Sequence, residues 1–140
     1  MPFGLEKPGG DGVRAPGQVD YRLARQAIIA EFRKGRLARH EVCDAHPELM
    51  RAARNVGEES SQSCPICEDE KLALVTYVFG TKLPANGRCV TTSKELARLA
   101  RSSGERVAYV VEVCTGCSWH HLTRSYPLAA GRSPRSAPSG

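Results

Sequence analysis

Between Val19 and about Val56 the apolar residues recur at helical spacing. Tyr21, Ala24, Ile28 and Phe32 are three, four and four residues apart. They therefore share one face of a helix that Asp20 is placed to cap and Gly35 to end. A short helix is expected over Ala38–Cys43. A third opens at Pro47, which suits a first helical turn, turns Leu49, Met50 and Ala53 inward, and closes at Gly57. From about Glu58 the pattern changes. Leu72–Phe79 and Val107–Val113 are rich in β-branched and aromatic residues and read as strands, and a last strand is expected over Trp119–Tyr126. Between them Thr92-Ser93-Lys94-Glu95 is a capping box that opens a helix running to Arg101, with Gly104 after it. Residues 1–18 are dense in Pro and Gly, and the stretch from Ala129 to Gly140 in Ser, Pro, Gly, Arg and Ala. Both ends read as disordered.

Composition narrows the classes. The chain has 140 residues, 41% hydrophobic, 25% charged and only 6% aromatic. Without the tails about a hundred residues remain, a size at which an apolar core alone is marginal and a staple is expected. The longest apolar run, Leu72–Phe79, has eight residues and is broken by Thr76, whereas a membrane-spanning helix needs about twenty. The start Met1-Pro2-Phe3-Gly4 has neither the basic residues nor the apolar run of a secretory signal. A cytoplasmic location is therefore expected. In that compartment closely paired cysteines point to metal or redox chemistry rather than to disulfides.

There are six cysteines, and four of them are paired as Cys64-Pro65-Ile66-Cys67 and Cys114-Thr115-Gly116-Cys117. Two residues between cysteines let a tight turn aim both sulfurs at one point, with turn amides donating to them. Gly116 suits such a turn through its tolerance of positive φ. Two such turns brought together give tetrahedral S₄ coordination, the preference of Zn²⁺. The 46 residues between the pairs, Glu68–Val113, exceed the about 15–20 of the common ribbon pattern. An inserted hairpin and the Ser93–Arg101 helix would fill that gap. Two other readings of the pairs are unlinked buried thiols and a thioredoxin-like redox pair, though neither pair opens a helix after a strand. His120 and His121 could substitute for a sulfur, but four cysteines already complete a shell. A shell of four thiolates has no open position for substrate, so the zinc is expected to be structural and its removal to unfold the β module. Trp119 is expected to pack over the ribbon rather than stack on a base. Cys43 and Cys89 lack a paired partner and read as small buried hydrophobes.

The fold class expected is α+β. A helical module (19–57) precedes a zinc-ribbon-like antiparallel β module with an inserted helix (58–127), between tails at 1–18 and 128–140.

One arrangement imitates an active site. His46-Pro47-Glu48 followed by a Cys-x-x-Cys pair matches part of the zinc deaminase signature, in which one His and two Cys hold the metal. Ser63 stands where that signature has proline, and Cys114 and Cys117 would be left without a role.

Charge is uneven. Residues 1–56 carry ten Lys/Arg against seven Asp/Glu, residues 57–127 eight against eight, and the remaining tail adds Arg132 and Arg135. A zinc tetrathiolate would make the β module acidic, a poor match to phosphate. The basic surface is local: Arg22, Arg25, Arg33, Lys34, Arg36 and Arg39, against Asp20 and Glu31. These are the candidates for phosphate or partner contact. The helices also fit a helix-turn-helix, with Pro47–Asn55 offering Arg51 and Arg54 to a groove.

The stretch Cys43-Asp44-Ala45-His46-Pro47-Glu48-Leu49, with Cys64-Pro65-Ile66-Cys67 and Cys114-Thr115-Gly116-Cys117-Ser118-Trp119-His120, resembles an uncharacterised actinobacterial family, a domain of unknown function with zinc-ribbon character. The likeness spans roughly Val19–Pro127 and implies a cytoplasmic, ribbon-bearing protein without supplying an activity. Together these features lead to an expected non-catalytic zinc-ribbon protein. It would act as a binding module or adaptor in the transcription or translation machinery, with a protein partner and with nucleic acid reached through the helical module. Neither a membrane nor a small-molecule substrate is expected. A sequence-specific DNA-binding regulator is the alternative, and a zinc-dependent deaminase a remote one.

Overall fold

The computed structural model describes residues 17–128. Apart from Gly17, Gln18 and Leu128, the tails expected at 1–18 and 128–140 lie outside the described residues. The elements run β1 (Val19–Asp20), α1 (Arg22–Arg33), α2 (Arg39–Val42), α3 (Pro47–Val56), β2 (Glu58–Ser63), β3 (Lys71–Gly80), β4 (Arg88–Val90), α4 (Ser93–Arg101), β5 (Arg106–Val113) and β6 (His120–Leu128). The expected α+β class holds: among the described residues four helices accompany one six-stranded antiparallel sheet.

The sheet is ordered β1-β6-β5-β3-β2, and β4 pairs with β3 beyond the end of β2. β3 and β5 form its spine, in register from Ala73 opposite Val113 to Gly80 opposite Arg106. Side chains alternate between the two faces along these strands. One face sets Leu74, Val78, Ala108, Val110, Tyr126 and Leu128 against Leu96, Leu99 and Ala100 of α4. The other sets Ala73, Val75, Val111 and Val113 against Leu49, Met50 and Ala53 of α3. Through α3, the segment expected as a helical module packs directly on the sheet.

Helix boundaries follow local chemistry. Pro47 starts α3, and the His46 ring accepts the Glu48 N–H at 3.0 Å. Gly35, at φ 80°, follows α1. The N-cap of α1 is Tyr21 rather than Asp20, and the Asp20 carboxylate instead accepts from the Arg22 N–H at 2.8 Å. The buried face of α1 keeps Ile28 and Phe32 against the core, as expected, and departs from the expected one elsewhere. Ala24 is exposed, while Ile29 is buried and Arg25 turns inward. A bulge in β6 explains how this helix is anchored. Val110 pairs with Arg124 but Val111 pairs with Leu122, so Thr123 is the extra residue. The Thr123 hydroxyl donates to the Val110 carbonyl at 3.2 Å, and its own carbonyl accepts the Tyr21 N–H at 3.1 Å, just before α1 begins.

No helix among the described residues is long and apolar enough to cross a membrane.

Candidate metal centre

The β2–β3 turn carries Cys64 and Cys67, and the β5–β6 turn carries Cys114 and Cys117. The two turns are built alike. Cys64 N–H donates to the Glu70 carbonyl and Cys114 N–H to the Trp119 carbonyl, each at 2.8 Å. Glu68 N–H returns to the Cys64 carbonyl at 3.1 Å, and Ser118 N–H to the Cys114 carbonyl at 3.0 Å. In each turn the residue after the second cysteine takes the left-handed conformation, Glu68 at φ 63° and Ser118 at φ 77°. The positive φ expected at Gly116 is therefore found two residues further on, at Ser118. Gly116 is favoured instead by close approach, since a Cβ there would lie 2.7 Å from Glu70 Cγ.

Antiparallel register joins the two turns. Ala73, near the start of β3, lies opposite Val113, at the end of β5. The cysteine turns therefore share one end of the sheet, whatever the length of chain between them. The four sulfurs all lie within 4.8 Å of one another. Cys64 and Cys117 Sγ are 3.6 Å apart, and Cys67 and Cys114 Sγ 3.7 Å. A tetrahedron with metal–sulfur bonds of about 2.3 Å has edges of about 3.8 Å, so the donor set fits one ion.

The sulfurs are not electrostatically equivalent. Burial pushes the Cys64 and Cys117 thiols up to about 12. At Cys67 burial acts in the same direction and is the largest single influence, but hydrogen bonds from the Asp69 and Glu70 N–H groups and from the Cys114 and Cys64 thiols together outweigh it and hold the thiol below its ordinary value. Further N–H donors support the turns, from Ile66 to Cys64 Sγ and from Cys117 to Cys114 Sγ, each at 3.4 Å. This cluster can gather a cation that displaces thiol protons.

The site has its own small core. Ile29, Val42, Ile66, Leu72 and Trp119 pack with the buried Cys64 and Cys114. Trp119 is 1% exposed, which leaves no free face for stacking on a base. Its indole N–H donates to Glu112 Oε2 at 2.7 Å, and Arg25 Nε reaches the same oxygen at 2.7 Å. The Arg25–Glu112–Trp119 group ties α1 to the second cysteine turn. Sequence reasoning missed it, since Arg25 and Glu112 are 87 residues apart.

Of the six cations considered for phosphate or partner contact, Arg22, Arg33, Lys34, Arg36 and Arg39 are exposed, whereas Arg25 is turned inward onto Glu112. Lys34 and Arg36 both approach Glu31, at 3.9 and 3.2 Å. His46 caps α3, and Cys64 and Cys67 are grouped with Cys114 and Cys117. Cys43 packs half-buried against the site's small core, as a small hydrophobe would, and its Sγ also lies 3.4 Å from that of Cys117. Cys89 sits half-buried on β4 among the residues beneath α3, as a small hydrophobe would.

A family of unknown function, DUF5318, matches residues 14–139. The chain belongs to that family. Uncharacterised proteins of Mycobacterium bovis and of Mycobacterium tuberculosis (strain H37Rv) are each 47% identical to it over 117 residues, covering 84% of this chain and 85% of theirs. These relatives are actinobacterial, as the resemblance of the cysteine-bearing motifs implied, and the family description supplies no activity. No solved structure gives a significant match.

Proposed function

We propose that this DUF5318 member is a non-catalytic zinc-ribbon protein, cytoplasmic, whose Cys64, Cys67, Cys114 and Cys117 hold one structural Zn²⁺. It would serve as a binding module or adaptor in the transcription or translation machinery. The observation that carries the metal reading is the convergence of four sulfurs at spacings suited to one tetrahedral ion. Four thiolates favour zinc among the common divalent ions and close its shell against substrate, which supports a structural role over a catalytic one.

The outer face of α1 supports a protein partner. Leu23 is 84% exposed and is flanked by Arg22, with Arg33, Lys34, Arg36 and Arg39 further along. An exposed apolar side chain beside basic groups suits an acidic protein surface that offers a pocket. Affinity purification of the tagged full chain tests this reading. RNA polymerase or ribosomal proteins should be recovered after nuclease treatment and lost in Leu23→Asp. Recovery that vanishes with nuclease would contradict it.

A further inference from the structure

Among the described residues, Cys43 is the one cysteine beside the tetrad but outside it. It follows α2, its backbone N–H donating to the Arg39 carbonyl at 2.8 Å. Its Sγ is 3.4 Å from Cys117 Sγ, closer than either cross-turn contact within the tetrad, at 3.6 and 3.7 Å. Both sulfurs of this pair are also within reach of a small oxidant: Cys43 and Cys117 are part-exposed, as is Cys67, whereas Cys64 and Cys114 are buried. Four thiolates saturate a zinc ion, so a fifth sulfur has no place on it. It is left as a free thiol in contact with a ligand sulfur.

We propose that Cys43 and Cys117 are an oxidation site for peroxides, in which disulfide formation withdraws Cys117 from the metal. The proposal rests on the metal-filled tetrad put forward above. In the first step the Cys117 thiolate attacks the O–O bond of hydrogen peroxide, giving a sulfenic acid and releasing hydroxide. In the second, the Cys43 sulfur attacks that sulfenic sulfur. The S–S bond forms, the S–OH bond breaks, and the hydroxyl leaves as water with the Cys43 proton. Two sulfurs have lost two electrons, and the peroxide has become one water and one hydroxide. Reaching a disulfide bond length requires the two sulfurs to close by only about 1.4 Å. The metal then keeps three thiolates and its affinity falls. A thiol reductant reverses the reaction. Because Cys43 directly follows α2, which opens at Arg39 just after the loop bearing Arg36, oxidation also alters the anchoring of the basic segment.

The test uses the full chain loaded with zinc, its metal content measured first. Graded hydrogen peroxide is added, released zinc is followed with a chromogenic chelator, and disulfides are mapped by alkylation and peptide mass. Wild type should form a Cys43–Cys117 disulfide in step with zinc release, reversed by dithiothreitol. Cys43→Ala and Cys43→Ser should bind zinc normally but release it at least about tenfold more slowly, while Cys89→Ser should behave as wild type. Unchanged release in both Cys43 variants overturns the proposal, as does a map with disulfides confined to Cys64, Cys67, Cys114 and Cys117. Loss of zinc from both Cys43 variants before any oxidant also overturns it, by making Cys43 a ligand. A chain that takes up no zinc fails the metal reading on its own account. The peptide map then still decides the thiol pair, a Cys43–Cys117 disulfide supporting it and its absence overturning it.

Discussion

Ser118 and Glu68 hold the left-handed conformation in the two cysteine turns, at φ 77° and 63°. That region costs a non-glycine residue roughly 1–2 kcal/mol and is worst for β-branched side chains. Ser118→Val should therefore destabilise the metal-loaded protein by about 1–2 kcal/mol, with Ser118→Gly close to neutral, as read from thermal unfolding at fixed metal concentration. Equal stability of the two variants would argue against strain at this position. Glu112 is a second pressure point, since its side chain is 4% exposed and shares one oxygen between Arg25 and Trp119. Arg25→Leu leaves that carboxylate without its cation and should cost about 3–5 kcal/mol, whereas adding Glu112→Leu should recover much of the loss. A double-mutant cycle in urea measures the coupling. The four paired cysteines were legible because their spacing encodes a turn, a purely local property. Cys43 and Arg25 were not, because their partners lie 74 and 87 residues away and only the folded register brings them close.

At the level of elements, α4 is the best-specified helix. Thr92 Oγ1 accepts the Glu95 N–H at 3.1 Å, and Glu95 returns to the Thr91 N–H at 3.1 Å while also pairing with Arg88. The Thr91 N–H, with Arg88 beside it, outweighs burial and holds the Glu95 carboxyl below its ordinary value. A depressed carboxyl contributes stability above its unfolded value, and that contribution is lost as pH falls through the folded one. Glu95→Gln should thus cost about 1–2 kcal/mol at pH 7, with the gap from wild type narrowing on acidification below the ordinary carboxylate range. A gap that stays constant down to the acid transition would show that the charge is irrelevant. Caps and β-branched runs made α3, α4, β3 and β5 readable in advance. β2 escaped notice because Glu-Glu-Ser-Ser-Gln-Ser is a mostly exposed edge strand with no apolar alternation, and β1 because two residues carry no period. The inner face of α1 was misjudged at Ala24 and Arg25, where a buried ion pair outweighed apolar spacing.

Seen whole, the described residues form three apolar clusters, and only one of these contains the cysteine turns. The sequence suggested that metal removal would unfold the entire β module. The structure gives a more local expectation, because the clusters under α3 and α4 contain none of the four tetrad cysteines. Chelation should abolish amide protection in the two cysteine turns and in α1 and α2, while the middle of β3 and β5 stays protected in hydrogen exchange. Uniform loss of protection would show that the tetrad supports the whole sheet.

The proposed role of this protein depends first on Cys64, Cys67, Cys114 and Cys117 holding one zinc ion. Elemental mass spectrometry of the full chain, purified under reducing conditions with no added metal, tests it most directly, alongside Cys114→Ser. Wild type should carry one zinc per chain, and the variant should lose most of it. A wild-type chain without stoichiometric metal, or a Cys114→Ser chain that keeps its full complement, would contradict it.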